Sequence, residues 1–298
     1  MPPLRTALVL ALVVALAFAV VRLVDSTGVV VATATKLNPA PAPSSVANHM
    51  LLPDLESGAC MSLAPARAGS GQTVFIDAGH GGLDPGVVAG GGKALEKDAT
   101  LGVATRLSDL LRAAGYRVVM ARTQDTTVIK LSASDSVYAS LTADAEHRDL
   151  AARAACANAA GAAALVSIHF DAFADPTVGG TETFYDAART FAAANRRLAT
   201  DLQSALVAAL GTADRGVWTD DQLAAPTLTS SGSNYNHLIE LGPMSAGWVD
   251  QPSQMAGALV EPLFLTNPTE ARVAEDPAGQ QIIAVALEAG LVKFLTTA

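Results

Sequence analysis

Two rhythms of apolar and polar positions run along this chain, and the places where one gives way to the other mark its elements. Thr73-Val74-Phe75-Ile76-Asp77 is a short β-branched run ending in Ala78-Gly79, the pattern of a buried strand entering a turn. From Asp98 to Ala114 the period lengthens: Leu101, Ala104, Leu107 and Leu111 share one helical face, and Gly115 supplies a stop. Residues 116–121 predict the next strand, 146–160 a helix ended by Gly161, and 164–169 a continuous apolar strand. A further strand at 180–185 precedes a helix over 192–210 that Gly211 stops. Strand patterns at 237–241 and 258–264 follow, and a last helix runs from Pro277, a favoured first-turn residue, to about Leu295.

Strands that alternate with helices and are apolar on both sides belong to a sheet covered from above and below. The expectation is α/β: a single domain over residues 73–298, with a twisted, mostly parallel sheet flanked by helices on both faces.

Two stretches before Thr73 follow neither rhythm. The apolar block Ala7–Val21 lies between Arg5 and Arg22, and Leu23 and Val24 extend it. Its length falls between the ~7–15 residues of a signal-peptide core and the ~20 of a bilayer span. Residues 1–35 are therefore expected to be a signal peptide or a membrane anchor, and either one implies export. Residues 36–72 carry Pro39, Pro41, Pro43, Pro53 and Pro65 among Ala, Ser and Gly, which predicts an extended Pro/Ala-rich linker.

Composition changes this picture little. Half of the chain is hydrophobic, but much of that is alanine and part is the N-terminal block, so the remainder reads as globular. A formal net charge of −9 leaves no basic footprint for a phosphate backbone and argues against nucleic acid as a partner. Export makes a disulfide between Cys60 and Cys156 permissible. Cys156 nevertheless reads as a small buried hydrophobe of an alanine-rich helix, and Cys60 falls in or near the linker, so the bridge is the less favoured of two open alternatives.

In sheets of this kind ligands gather at the carboxyl ends of the strands. His80 follows the first strand in Asp77-Ala78-Gly79-His80-Gly81-Gly82, His169 ends the third, and Glu96 stands at the entrance of the first helix. Two imidazoles and one carboxylate form a common catalytic zinc set with one position left for water. Each also has a plain structural reading. A histidine between glycines can simply occupy a turn, and a glutamate at a helix start suits the helix dipole. The wide spacing fits no short helical zinc motif, so only the fold can bring the three together. His49 in the linker, His147 at a solvated helix start and His237 beside a loop are weaker candidates.

The segments Asp77-Ala78-Gly79-His80-Gly81-Gly82, Leu95-Glu96-Lys97-Asp98 and Ser167-Ile168-His169 resemble the three signatures of the zinc-dependent N-acetylmuramoyl-L-alanine amidases. Ala121-Arg122-Thr123-Gln124-Asp125 and Ala157-Asn158-Ala159-Ala160-Gly161-Ala162 fit the same family, and the resemblance extends over residues 73–298. It implies Zn2+ held by His80, Glu96 and His169, and hydrolysis of the amide between N-acetylmuramic acid and L-alanine in peptidoglycan, outside the cytoplasmic membrane. It also implies a catalytic glutamate on a late strand, outside the metal shell. Val260-Glu261-Pro262-Leu263-Phe264-Leu265-Thr266-Asn267 keeps the family's Phe and Asn but has Pro-Leu where a residue and Gly are expected, and Ile239-Glu240-Leu241-Gly242 keeps only the glycine. Glu261 is thus the expected general base and Glu240 the alternative, with residues 237–257 an insertion beside the site. Two rival readings share these ligands. An exported zinc carboxypeptidase would need an arginine such as Arg122 or Arg215 to clamp a terminal carboxylate, and a membrane-tethered wall-binding module would lack a glutamate near the metal.

Overall fold

The computed structural model describes residues 48–49, 52–92, 94–222, 227–229 and 231–297. The N-terminal segment expected to direct export, 1–35, lies outside the described residues, as does most of the first part of the linker.

Eight strands of the described residues form one sheet. In chain order they are β1 (Asn48–His49), β2 (Ala59–Leu63), β3 (Thr73–Ala78), β4 (Arg117–Arg122), β5 (Ala164–Ile168), β6 (Thr181–Tyr185), β7 (Asp214–Thr219) and β8 (Ala256–Glu261). Across the sheet they run β1-β2-β4-β3-β5-β8-β6-β7. The neighbours β4-β3, β3-β5, β5-β8 and β6-β7 are parallel, while β1-β2, β2-β4 and β8-β6 are antiparallel. Five α-helices of the described residues accompany them: α1 (Glu96–Ala114), α2 (Ala143–Ala159), α3 (Ala192–Leu210), α4 (Pro268–Glu275) and α5 (Pro277–Thr296).

Strand periodicity divides the core in two. Val74, Ile76 and Ala78 of β3, Val166 and Ile168 of β5, and Ala258 and Val260 of β8 pack beneath α1, α3 and α5. The alternate residues Phe75, Leu165 and Leu259 face Cys156 and Ala157 of α2, together with Leu241 and Met255 from the segment before β8. Both faces are therefore covered, though unequally. Because side chains alternate along a strand, Asp77, Gly79, Ser167, His169 and Glu261 fall on the α2 side. The long apolar α5 buries Ile283, Leu287 and Leu291 against this core, so its hydrophobicity is that of a core helix.

Four expectations need correction. The linker does not continue to residue 72: β2 pairs antiparallel with β4, and Leu55, Ala59 and Cys60 are buried in the core. Prolines at 53 and 65 flank the strand without interrupting it, so a Pro-rich composition concealed a strand pairing. Cys60 and Cys156 form a disulfide, with Cα atoms 5.8 Å apart, because β2 brings the first against α2, which carries the second. Residues 237–241 are a turn instead of a strand. The Leu238 carbonyl accepts from the N–H groups of Leu241 and Gly242, so the run satisfies its backbone locally while Ile239 and Leu241 are buried. His147, expected in solvent, stacks on Trp248 at 3.7 Å.

Candidate active site

Adjacent parallel strands present their carboxyl ends side by side, and three of the sequence candidates meet there. Ala78 pairs with Ile168, and Ile168 with Val260, so the residues that follow β3 and β5 adjoin Glu261 at the end of β8. The His169 N–H donates to the Val260 carbonyl at 3.0 Å. Glu96, the first residue of α1, reaches into the same place. Its Oε2 lies 3.1 Å from His80 Nε2 and its Oε1 3.1 Å from His169 Nδ1. One ligand atom from each of His80, Glu96 and His169 lies within 4.8 Å of the others, close enough to share a metal ion.

The backbone is shaped around this set. Glu96 is buried, and its carboxylate accepts the N–H groups of Val87 at 2.8 Å and Phe170 at 2.9 Å, which hold it in one orientation. His80 has a left-handed backbone, φ 61°, uncommon for a residue with a side chain and a frequent mark of functional sites. Its Nδ1 meets Asp84 Oδ2 at 2.7 Å, so Nε2 is the nitrogen presented to Glu96. Gly86 has φ +63°, and a Cβ there would stand 2.4 Å from His80 Cδ2 and 2.6 Å from Glu96 Oε2. Only glycine fits.

Electrostatics favour a cation. Burial disfavours a charged His80, yet the hydrogen bonds and charges of Asp84 and Glu96 outweigh it and lift the imidazole to about 9. Burial likewise opposes the Glu96 carboxylate, but His169 and His80 hold it well below its ordinary range. Carboxylates that stabilise a positive charge on His80 this strongly would also attract a metal ion in place of the imidazole's proton.

Below the histidines lies a buried ionic layer. Arg153 donates to Asp77 Oδ1 at 2.6 Å, to Asp149 Oδ2 at 2.8 Å and to the carbonyls of Ala78 and His80 at 3.0 and 2.9 Å. Asp77 also accepts from Ser167 Oγ at 2.7 Å. This network fixes the turn that carries His80. The helical spacing of Asp149 and Arg153 on α2 says nothing of their link to Asp77, whereas Asp84 stands in the glycine-rich turn only four positions after His80.

The two candidate glutamates occupy different surroundings. Burial pushes the Glu261 carboxyl well above its ordinary range, and the charges of Glu96, Asp171 and Glu182 add to the effect. Its Oε2 is buried and accepts no hydrogen bond. Burial also raises Glu240, whose strongest charged neighbours are Asp77 and Arg153 of the ionic layer. A cavity of about 160 Å³ opens beside His80 and His169, with Glu146, Arg153, Leu238 and Glu240 on its wall. The Pro262-Leu263 departure is accommodated: Pro262 comes just after β8, where no N–H is required of it, and its carbonyl accepts from Thr181. Beyond it Asn267 caps α4.

Neither arginine of the carboxypeptidase reading is free. Arg122 is fully buried and donates to the carbonyls of Ala78, Gly79, Lys97 and Gln124. Arg215 pairs with Glu182 at 2.9 Å and lies over the Phe264 ring.

A mostly parallel α/β sheet whose strand ends gather two histidines and a glutamate able to hold a metal, next to a half-buried acid whose Oε2 has no hydrogen bond, defines a hydrolase-like centre. Residues 74–293 match the family described as N-acetylmuramoyl-L-alanine amidase, and the chain belongs to that family of hydrolases. It is 32% identical over 225 residues to the N-acetylmuramoyl-L-alanine amidase LytC of Bacillus subtilis, covering 75% of this chain and 36% of LytC. It is 31% identical over 227 residues to the germination-specific N-acetylmuramoyl-L-alanine amidase of the same organism, covering 76% of this chain and 81% of that one. The crystal structure of N-acetylmuramoyl-L-alanine amidase from Clostridium difficile superposes with a TM-score of 0.56 at 29% identity, over 76% of this chain and 98% of that one.

Proposed function

We propose that this protein hydrolyses the amide between the lactyl group of N-acetylmuramic acid and L-alanine in peptidoglycan, with Zn2+ held by His80, Glu96 and His169 and Glu261 as general base. The observation that carries the reading is the meeting of these three ligands at the strand ends, with Glu261 on the adjoining strand, its Oε2 without a hydrogen bond. A nitrogen–oxygen donor set of this size suits zinc. Bound there, the ion would polarise the scissile carbonyl and lower the pKa of water to ~7.

The chain's own groups do the rest. Glu96, clamped by two backbone N–H groups, keeps both imidazoles oriented, and Asp84 fixes the ring of His80. Glu261 takes a proton from the attacking water at its carboxylate and returns it to the departing L-alanine nitrogen. A useful base needs a pKa near the working pH. The burial and acidic neighbours that raise Glu261 counter the acidifying pull of a nearby cation.

Glu240 is the second reading, favoured by its place on the wall of the cavity. Its charge is coupled to Asp77 and Arg153, which already pair with each other, and this suits a structural or substrate-contacting role better. The disulfide agrees with an extracytoplasmic location, where such bonds persist. Residues 1–35 would then deliver the chain as signal peptide or membrane anchor.

The test is digestion of purified muropeptides with identification of the new N-terminus. Glu261→Gln should retain zinc and lose roughly 10²–10⁴-fold in turnover, the scale of a lost general base. His169→Ala should lose metal and activity together. If Glu240→Gln abolishes turnover while Glu261→Gln leaves it near normal, the two roles are exchanged.

A further inference from the structure

Away from the strand-end site, a second group of metal-capable side chains stands where three segments of the chain converge. Asp186 directly follows β6, Asp220 directly follows β7, and His237 begins the segment leading to Glu240. One ligand atom from each lies within 4.8 Å of the others. His237 Nδ1 is 2.8 Å from Asp186 Oδ2 and 3.2 Å from Asp220 Oδ1. A first-row divalent ion with bonds of ~2.0–2.2 Å to imidazole and carboxylate holds neighbouring ligand atoms ~3 Å apart. The ligand atoms of His80, Glu96 and His169 show the same separation, 3.1 Å.

The contacts do not form an ordinary hydrogen-bonded triad. The Nδ1 of His237 has hydrogen-bond geometry toward Asp220 Oδ1, yet the closer Asp186 Oδ2 is buried and accepts no hydrogen bond. A carboxylate oxygen at contact distance from a ring nitrogen, but off its N–H axis, is disposed as a fellow ligand of a third atom. The remaining oxygens are already used: Asp186 Oδ1 accepts from the Ala188 N–H at 2.7 Å and Asp220 Oδ2 from the Leu238 N–H at 3.0 Å. Those bonds aim Asp186 Oδ2 and Asp220 Oδ1 toward the same point.

Charge balance points the same way. Both carboxylates are essentially without solvent exposure, and buried charges require a paired ion or a metal. Arg189, whose charge acts on Asp186, directs its guanidinium to the carbonyls of Leu241, Gly242 and Ser253. The edge of the Tyr235 ring against His237 restrains the imidazole.

We infer that Asp186, Asp220 and His237 form a second binding site for a divalent transition ion, zinc among them, that ties the ends of β6 and β7 to the cleft-lining segment Leu238–Glu240. A mixed nitrogen–oxygen set selects such an ion over calcium, which takes oxygen ligands. The ion would hold that wall of the cavity in place and is independent of the amidase reading.

Metal content of the full-length protein tests this, after loading with zinc and removal of free metal. Wild type should carry about two equivalents, and His169→Ala should keep one. Adding Asp220→Asn or His237→Ala to His169→Ala should remove that remaining ion. Asp220→Asn retains side-chain volume and guards against misfolding of the histidine variant. Cobalt loaded into His169→Ala should give visible absorption that disappears with Asp220→Asn. One equivalent in wild type and none in His169→Ala would overturn the proposal. So would an ion in His169→Ala that survives both added substitutions.

Discussion

The Cys60–Cys156 disulfide ties strand β2 to helix α2, and its removal has a magnitude that follows from topology. The bridge closes a loop spanning 96 positions, and the chain-entropy relation for a loop of ~100 residues gives about 4.7 kcal/mol of constraint on the unfolded chain. Disulfides commonly deliver about 2–4 kcal/mol of this. For a domain of this size each kcal/mol moves Tm by roughly 2–4 °C, so the double variant Cys60→Ala/Cys156→Ala should melt roughly 5–15 °C lower. Alanine is the right replacement because both cysteines are fully buried, and a hydroxyl there would add the cost of an unpartnered polar group. Thermal unfolding would be followed by circular dichroism in wild type, in wild type with reductant, and in the double variant. Reduced wild type and the variant should fall together, and zinc content at 25 °C should not change. If reductant frees both thiols and Tm does not move, β2 is held by strand pairing alone and the entropic account is wrong.

Other expectations follow from the same contacts. A chain beginning at Gly71 loses Leu55, Ala59, Cys60 and the pairing of β2 with β4, and should aggregate or unfold without cooperativity, whereas one beginning at Ser45 should melt normally in a calorimeter. Gly86→Ala forces a Cβ into His80 and Glu96 at a left-handed backbone position costing ~1–2 kcal/mol. It should weaken zinc at least tenfold in chelator competition while leaving the far-ultraviolet spectrum unchanged. Asp84→Asn removes the carboxylate behind His80 and should weaken zinc by roughly 10–100-fold, the usual scale for such a partner, and unchanged affinity would deny it that role.

Local patterns were most legible where one element is decided by its own residues. The predicted helix over 192–210 is α3 residue for residue, and the last helix begins at Pro277 as expected, because helical spacing, glycine stops and first-turn prolines act within a few residues. Strands β3, β4 and β5 were readable for a related reason: sheets covered on both faces need largely apolar runs. The short strand β2 was hidden among prolines, and β7, Asp-Arg-Gly-Val-Trp-Thr, is too exposed to carry an apolar signal. The run at 237–241 has strand composition and became a turn, since composition records burial and not the availability of a neighbouring edge.

His80, Glu96 and His169 were nominated by residue type and motif, and the chain alone determined that they were worth nominating. Their meeting, like that of Asp186, Asp220 and His237, is decided by the order in which strands lie side by side. Parallel register aligns the ends of β3, β5 and β8, and α1 delivers Glu96 from a distant point in the chain. The same holds for the bridge between Cys60 and Cys156 and for the salt bridge of Arg153 with Asp77, 76 positions away. Residue identity sets what each group can do chemically, but contact across such separations depends on long-range packing, which no local run of residues encodes.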